Sequence, residues 1–335
     1  MSFDPDPSSR PPTRRRALAT AVAAIGALAW STRVAAQTFP ERTVRIVVPF
    51  PPGGAVDVLA RMVADQLAAE WKQGVVVENR PGANQIIGTQ NVAASPADGY
   101  SVLLATTGHA VNATLIEKLP YDPVADFHAV ALAATAPNIL VANASLPIAS
   151  LRQLVEYARS HPGKLNGAHP GNGTTMHLGL ELLKAAAGID FLTVGYKGTA
   201  PALNAVLSGE ADFMFDVTAA VPHVKAGKLR ALGVASAARS TLLPETPTFA
   251  EAGLPGVEMS SWYAFLVPAA TPVAVRIRLG RDIADVVSRP AIRRKLAEYG
   301  LGAVTPRSPA EVDEFIRSEV VRLGKVVKDA HITVQ

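Results

Sequence analysis

The sequence predicts an α/β protein of two lobes, with mainly parallel sheets flanked by helices and a cleft between the lobes. Three observations lead there. The chain has 335 residues, 49% hydrophobic and 18% charged, enough apolar mass for about two domains of ~100–200 residues and too little charge for a disordered chain. Runs rich in β-branched residues alternate with stretches of helical periodicity, the order that gives parallel strands covered by helices. One unit, a strand broken by a Pro/Gly loop and followed at once by a helix, recurs ~120 residues further on, which suits one copy in each lobe.

The first copy begins with the strand Val44-Arg45-Ile46-Val47-Val48. It breaks at Pro49-Phe50-Pro51-Pro52-Gly53-Gly54, and Val56, Leu59, Ala60, Val63 and Leu67 then recur at helical spacing. The second copy has a short strand over 164–169, the break Pro170-Gly171-Asn172-Gly173-Thr174-Thr175, and a helical face at Leu178, Leu182, Leu183 and Ala186 ending at Gly188. Thr174 or Thr175 can cap that helix. A third opening, Tyr196-Lys197-Gly198-Thr199-Ala200-Pro201, follows a strand over 191–194 and puts Pro201 at the first helical position. Further strands are expected over 100–105, 138–142, 211–215, 229–234 and 262–267, and further helices over 151–160 and 201–207.

This unit has a chemical use. It sets a helix N-terminus just beyond a strand end, where about four N–H groups lack internal partners and the dipole leaves about half a positive charge. Such an end suits a carboxylate, phosphate or sulfate, and glycine lets a ligand approach the backbone closely. The competing reading of Gly53-Gly54 is a tight turn without a ligand. In open α/β sheets, ligands sit outside the carboxyl ends of strands, where both glycine loops fall.

Composition removes other classes. No cysteine is present, so disulfides, thiolate metal sites and cysteine nucleophiles are excluded. The net charge is +4, but residues 1–36 hold five Arg and two Asp, leaving 27 basic against 26 acidic residues in the remainder. That balance gives no nucleic-acid footprint. Thr13-Arg14-Arg15-Arg16-Ala17-Leu18, an uncharged apolar run over 17–30 and Val34-Ala35-Ala36 have the order of an export signal. Residues 1–36 are therefore expected to be a cleaved leader of twin-arginine or Sec type, and the mature chain periplasmic. The apolar run is shorter than the ~20 residues that span a bilayer.

Enzyme signatures are missing. There is no GxGxxG after a strand, no Walker A, no Gly-x-Ser-x-Gly and no HExxH. His169 and His177 flank the second glycine loop as caps or hydrogen-bonded walls, with an ion pair or metal site involving Asp216 as the alternative. Asp212 and Asp216 can share a strand face, with Asp216 placed to order loop N–H groups or a polar ligand atom. Lys197 reads as a salt-bridge or ligand contact rather than a Schiff base. Asp57, in a first helical turn, reads as a loop organiser, and Trp71 as packing. No metal and no cofactor is expected.

Phe39-Pro40-Glu41-Arg42, the stretch from Val44 to Gly54, and Asp57 with Ala60-Arg61 together resemble the start of Bug proteins. These are the TctC-like substrate-binding receptors of tripartite tricarboxylate transporters. The likeness continues through Glu78-Asn79-Arg80-Pro81-Gly82-Ala83, Ser95-Pro96-Ala97-Asp98-Gly99-Tyr100, Tyr196-Lys197-Gly198 and Gly209-Glu210-Ala211-Asp212-Phe213-Met214-Phe215-Asp216. Leu243-Pro244, Pro247-Thr248, Glu251-Ala252-Gly253 and Trp262 extend it, so that it covers nearly all of 38–335.

The resemblance implies a two-lobed, type II periplasmic binding protein of the Venus-flytrap kind, closing over a small carboxylate. Lobe 1 would comprise 37–137 and 262–335, and lobe 2 138–261, with hinges near 134–140 and 257–264. Carried onto this sequence, the ligand loops are Phe50 with Gly53 and Gly54, and Gly171, Asn172, Gly173, Thr174 and Thr175. Thr106, Thr107, His109, Asn112, Tyr196 and Asp216 would line the remaining wall. Asn204 and His169-Pro170 depart from the family pattern, and members differ in solute, so the ligand class stays broad: a di- or tricarboxylate, an amino acid or an aromatic acid. Expected partners are a tripartite membrane permease or a sensor, and the receptor is expected to be a monomer. The competing reading is an exported hydrolase or lyase using Asp216, His177 and Lys197. The lack of a nucleophile–base–orienter set weighs against it.

Overall fold

A computed structural model describes residues 39–333, and the compact unit that holds the elements below begins at Arg42. The leader expected over 1–36 lies outside the described residues. In chain order the elements are β1 (Val44–Val48), α1 (Ala55–Trp71), β2 (Val75–Asn79), α2 (Ile86–Ala93), β3 (Ser101–Thr106), α3 (Thr107–Leu115) and β4 (Phe127–Pro137). Next come β5 (Ile139–Asn143), α4 (Leu151–Ser160), β6 (Asn166–His169), α5 (Thr175–Ala187), β7 (Leu192–Gly195), α6 (Thr199–Ser208), β8 (Phe213–Asp216), α7 (Val221–Lys225) and β9 (Leu229–Val234). The chain ends with β10 (Ser260–Pro268), α8 (Val273–Ser288), α9 (Pro290–Glu298), β11 (Gly302–Ala303) and α10 (Pro309–Asp329). Two sheets result, ordered β11-β4-β10-β3-β1-β2 and β7-β6-β8-β5-β9.

Register decides which loops meet. In the first sheet β1 runs parallel to β2 and β3, so the loops after Val48 and Thr106 leave from one edge. β10 lies antiparallel to β3 with Tyr263 opposite Thr106, so it starts at that edge. β4 ends there, with Pro137 opposite Ser260. In the second sheet β6 is parallel to β7 and β8, while Ile139, the first residue of β5, lies opposite both Asp216 and Val234. The chain therefore crosses between sheets twice, at Asn138 and between β9 and β10, each time through the edges that carry the strand-to-helix loops. Asn138 ties the crossings together: its N–H donates to Met259 O and its carbonyl accepts from Ala235 N.

The expectation of mainly parallel sheets gives way to mixed ones, for a topological reason. A strand that leaves one sheet at its loop edge must enter the other through its loop edge, hence against the direction of its neighbours. β5 and β10 are those entering strands, and each is antiparallel to both of its partners. The expected Pro201 start for α6 also shifts, since the helix begins at Thr199 behind Gly198.

The main hydrophobic cluster runs through both sheets, with Leu103, Leu140, Phe213, Phe215, Trp262 and Leu266 among its members. A second one beneath α6 holds Ile139, Ala168, Val206 and Met214. α8 lies so close on β4 that a Cβ at Gly280 would stand 2.4 Å from Val130 O. Alanine there would gain about 1 kcal/mol of helix propensity. Overpacking against a backbone atom costs about 1–3 kcal/mol and should win. Gly280→Ala is expected to lower Tm by a few degrees in calorimetry; a raised Tm would show that the contact yields.

Candidate functional site

The β1–α1 loop forms the first wall. α1 opens at Gly54, in extended backbone, without a side-chain cap, so the first-turn amides of Ala55, Val56 and Asp57 have no intrahelical acceptor. A Cβ added at Gly53 or Gly54 would meet nothing within 4 Å. The backbone there borders open space. Asp57 is 3% exposed and accepts from Gly53 N (3.0 Å), Asn79 Nδ2 (2.9 Å) and the Arg61 guanidinium (2.9 and 3.0 Å). Burial pushes its carboxyl up, but the bonds from Arg61, Gly53 and Asn79 outweigh that and hold it below the ordinary range. Asn79 Nδ2 also donates to Phe50 O (3.1 Å). Asp57 is thus the loop organiser that the sequence suggested, with its charge answered by Arg61.

A loop that the sequence does not single out stands beside it. Ala83, Asn84 and Gln85 are all left-handed, with φ of 44°, 51° and 75°, a conformation costing about 1–3 kcal/mol per non-glycine residue unless the surroundings impose it. Asn112 imposes it. Asn112 Nδ2 donates to Asn84 O and Asn84 Nδ2 to Asn112 Oδ1, both at 2.7 Å. Thr106 Oγ1 donates to Gln85 Oε1 (2.9 Å) and Thr89 Oγ1 to Gln85 O (2.9 Å). The Gln85 side chain lies over Gly108, where a Cβ would fall 2.0 Å from Gln85 Nε2. The sequence signal is the turn-forming Pro81-Gly82; the left-handed run after it depends on tertiary contacts.

The second lobe supplies the β6–α5 loop. Thr174 caps α5 as expected, accepting from His177 N. Gly171 N donates to His169 Nδ1 (3.3 Å) and Gly173 N to His177 Nδ1 (3.2 Å). These two glycine amides are therefore occupied, and the first-turn amides of Thr175 and Met176 are the ones left for a ligand. Gly173 has a packing role instead: a Cβ would stand 2.2 Å from Leu115 Cδ2 of the facing lobe. Thr175 Oγ1 pairs with Ser261 Oγ at 3.0 Å, and Thr107 Oγ1 accepts from Trp262 N at 2.9 Å. Thr107 thus anchors β10.

Other expected wall residues are placed differently. His109 is 1% exposed in an aromatic cluster, stacked on Tyr121 and edge-on to Phe127, with Nε2 bonded to Pro123 O (2.8 Å). It lies on the buried side of α3, because the helix begins at Thr107 and turns that position inward. Asn112 is fully buried and acts through Asn84. Asp216 accepts Ala220 N (2.7 Å) and orders the loop after β8; burial raises its carboxyl pKa, which its backbone N–H bonds only partly offset. Tyr196 donates to Glu210 at 2.9 Å and lines a lobe-2 cavity.

Two cavities border this region. The larger, about 940 Å³, lies between α5 and α10 over Trp262. Its charges are already matched: Glu319 with Arg322 and the Trp262 indole, Lys184 with Glu181, and Lys325 with Asp329. The smaller, about 570 Å³, lies at the carboxyl ends of β6 and β7, where ligands of open sheets sit. Among the described residues no group of three or more His, Asp or Glu is placed to hold a metal ion, and no helix is long and apolar enough to cross a membrane.

Comparison with known proteins agrees with this architecture. The profile of the family described as "Tripartite tricarboxylate transporter family receptor" matches residues 59–332. Protein BugT of Bordetella pertussis is 36% identical over 299 residues, 88% of this chain and 91% of that one. The solved structure of R. palustris Rpa4515 with adipate is 36% identical, covers 89% of this chain and 100% of its own, and superposes with a TM-score of 0.78. MatC from Rhodopseudomonas palustris with bound malate is 32% identical, covers 86% and 100%, and has a TM-score of 0.74.

The buried histidines carry a pH signature. Burial lowers the pKa of His109 to about 4 and of His177 to about 3, and also depresses His169. An unfolded histidine titrates near 6.5. Below that value the unfolded chain binds protons that the folded chain refuses, so stability falls as pH drops from about 6.5 toward 4. Tm should decline over that interval, and more shallowly in His109→Phe, where the ring can stay among Tyr121 and Phe127. Equal slopes in the two proteins would contradict the assignment.

Proposed function

The chain belongs to the family of tripartite tricarboxylate transporter receptors, and on that footing we propose that it is an extracytoplasmic solute receptor that closes over a small carboxylate. The observation that carries the reading is topological. The register brings the open helix N-termini that follow β1 in one sheet and β6 in the other to the edges where the chain crosses.

One ligand carboxylate is assigned to the amides at the start of α1, bordered by Phe50, Gly53 and Gly54, with Thr106 and residues 82–85 beside it. The start of α5, at Thr174 and Thr175, approaches from the other lobe, and Tyr196 stands at its margin. His109 is left out of this set. Lobe 1 is taken as 37–137 with 262–335, and lobe 2 as 138–261, in keeping with the crossing at Asn138. Closure would then shift a population between open and closed lobes about the two crossings. The adipate and malate seen in the R. palustris relatives favour a dicarboxylate. Delivery to a tripartite permease, or to a sensor, and export through the leader at 1–36 complete the proposal. The solute passes through unchanged, as befits a family of receptors.

Gly54→Val tests the site without disturbing the fold, because Gly54 has φ −81° and open space around its Cβ position. In a thermal-shift series of mono-, di- and tricarboxylates, amino acids and sugars, an acid at about 100 times its Kd should stabilise the wild type by about 2.7 kcal/mol. Gly54→Val should keep its ligand-free Tm and lose at least about tenfold in affinity, the size of about one contact of 1.4 kcal/mol. Shifts with neutral sugars alone would overturn the reading, and equal affinity in the variant would overturn the assigned loop. Gly173→Val is a poorer probe, since φ is +73° and Leu115 fills the space.

A further inference from the structure

The loop between β6 and α5 has a second face, away from the β1–α1 loop. The cavity of about 570 Å³ behind it is lined by His169, Asn172, His177, Tyr196, Lys197 and His331, among others. The rings of His169 and His177 stack there with centroids 4.0 Å apart and planes 6° from parallel. Each uses Nδ1 to accept a glycine amide of the loop. A ring nitrogen that accepts carries no proton, so each neutral ring holds its proton on Nε2.

Those Nε2–H groups are not used by the fold. His169 is 2% exposed, yet among the described residues its Nε2 has no hydrogen-bond partner. His177 Nε2 stands 3.9 Å from Glu181 Oε1, too far for a hydrogen bond. A buried donor without an acceptor costs about 1–3 kcal/mol, so an acceptor in the cavity would be favoured.

Charge selects the kind of acceptor. Lys184 is paired with Glu181 at 3.0 Å, whereas Lys197 has no ion pair among the described residues. α6, ten residues long, opens next to Lys197 at Gly198 (φ 111°) without a side-chain cap. Lys197 and the positive end of α6 thus add to the imidazole donors, and Glu181 is already answered by Lys184.

We propose that this cavity is a second site, separate from the one at α1, that takes a small oxyanion on the Nε2–H of His169 beside Lys197. An anion held there fixes the Nε2–H tautomer, and that tautomer is the one whose Nδ1 holds Gly171. Occupancy therefore steadies the loop that faces the cleft. The proposal goes beyond the receptor reading and does not need a solute between the lobes.

The test is a long-range ¹H–¹⁵N imidazole spectrum of the full protein without carboxylate solute, titrated with inorganic phosphate and, separately, with acetate at constant ionic strength. His169 should appear as the neutral Nε2–H tautomer, and its Nε2 signal should shift saturably with at least one of the two anions, which identifies the oxyanion type. Lys197→Met should weaken that binding about fivefold, the size of one exposed charge contact. Gly54→Val should leave it intact. An Nδ1–H tautomer, a linear drift with both anions, or no effect of Lys197→Met would overturn the proposal. Loss of the response in Gly54→Val would also overturn it, by placing the anion in the cleft, without touching the receptor reading.

Discussion

Everything functional in this molecule depends on the chain passing twice between two sheets through the same edges. Once β4 leaves the first sheet at its loop edge and β5 enters the second at its own, the strand-to-helix loops of both sheets lie at the crossing. Two consequences follow together. One entering strand in each sheet must run antiparallel to its neighbours, and helix N-termini from separate sheets come to one place. The first is seen in β5 and β10, and the second makes the place suited to an anion.

The site is held by side chains that do not themselves bind. Asp57 with Arg61 and Asn79 fixes the turn before α1. Asn112 and Thr106 hold three left-handed residues in a conformation that a free loop would leave. His169 and His177 accept the amides of Gly171 and Gly173. In each case a polar side chain with little solvent exposure replaces a backbone partner, so the remaining amides at the starts of α1 and α5 are oriented before any ligand arrives. A carboxylate entering there displaces water from groups that need not rearrange.

Much of this is legible in the sequence, and the gaps have physical causes. The runs Val44–Val48 and Leu229–Val234 are β-branched or apolar and bounded by turn residues, so they read as strands. Gly188 closes α5 and Thr174 opens it, both through local chemistry. β4 leaves little trace because Phe127–Pro137 is alanine-rich, and alanine signals neither period. The mixed strand directions leave none, because direction is set by the crossings and not by any window of residues. His109 follows Thr106-Thr107-Gly108 in sequence, which points it to the cleft; the helix that begins at Thr107 carries it instead into the lobe's aromatic cluster. The resemblance covering 38–335 supplies what periodicity cannot, namely that the two lobes face one another around a carboxylate.

A crystal structure of the protein with adipate tests the central claim most directly. The account predicts one carboxylate within about 3 Å of the amides of residues 55–57, with the start of α5 drawn toward the same molecule from the other lobe. Adipate seated instead in the groove between α5 and α10, with the amides at the start of α1 facing only water, would contradict it.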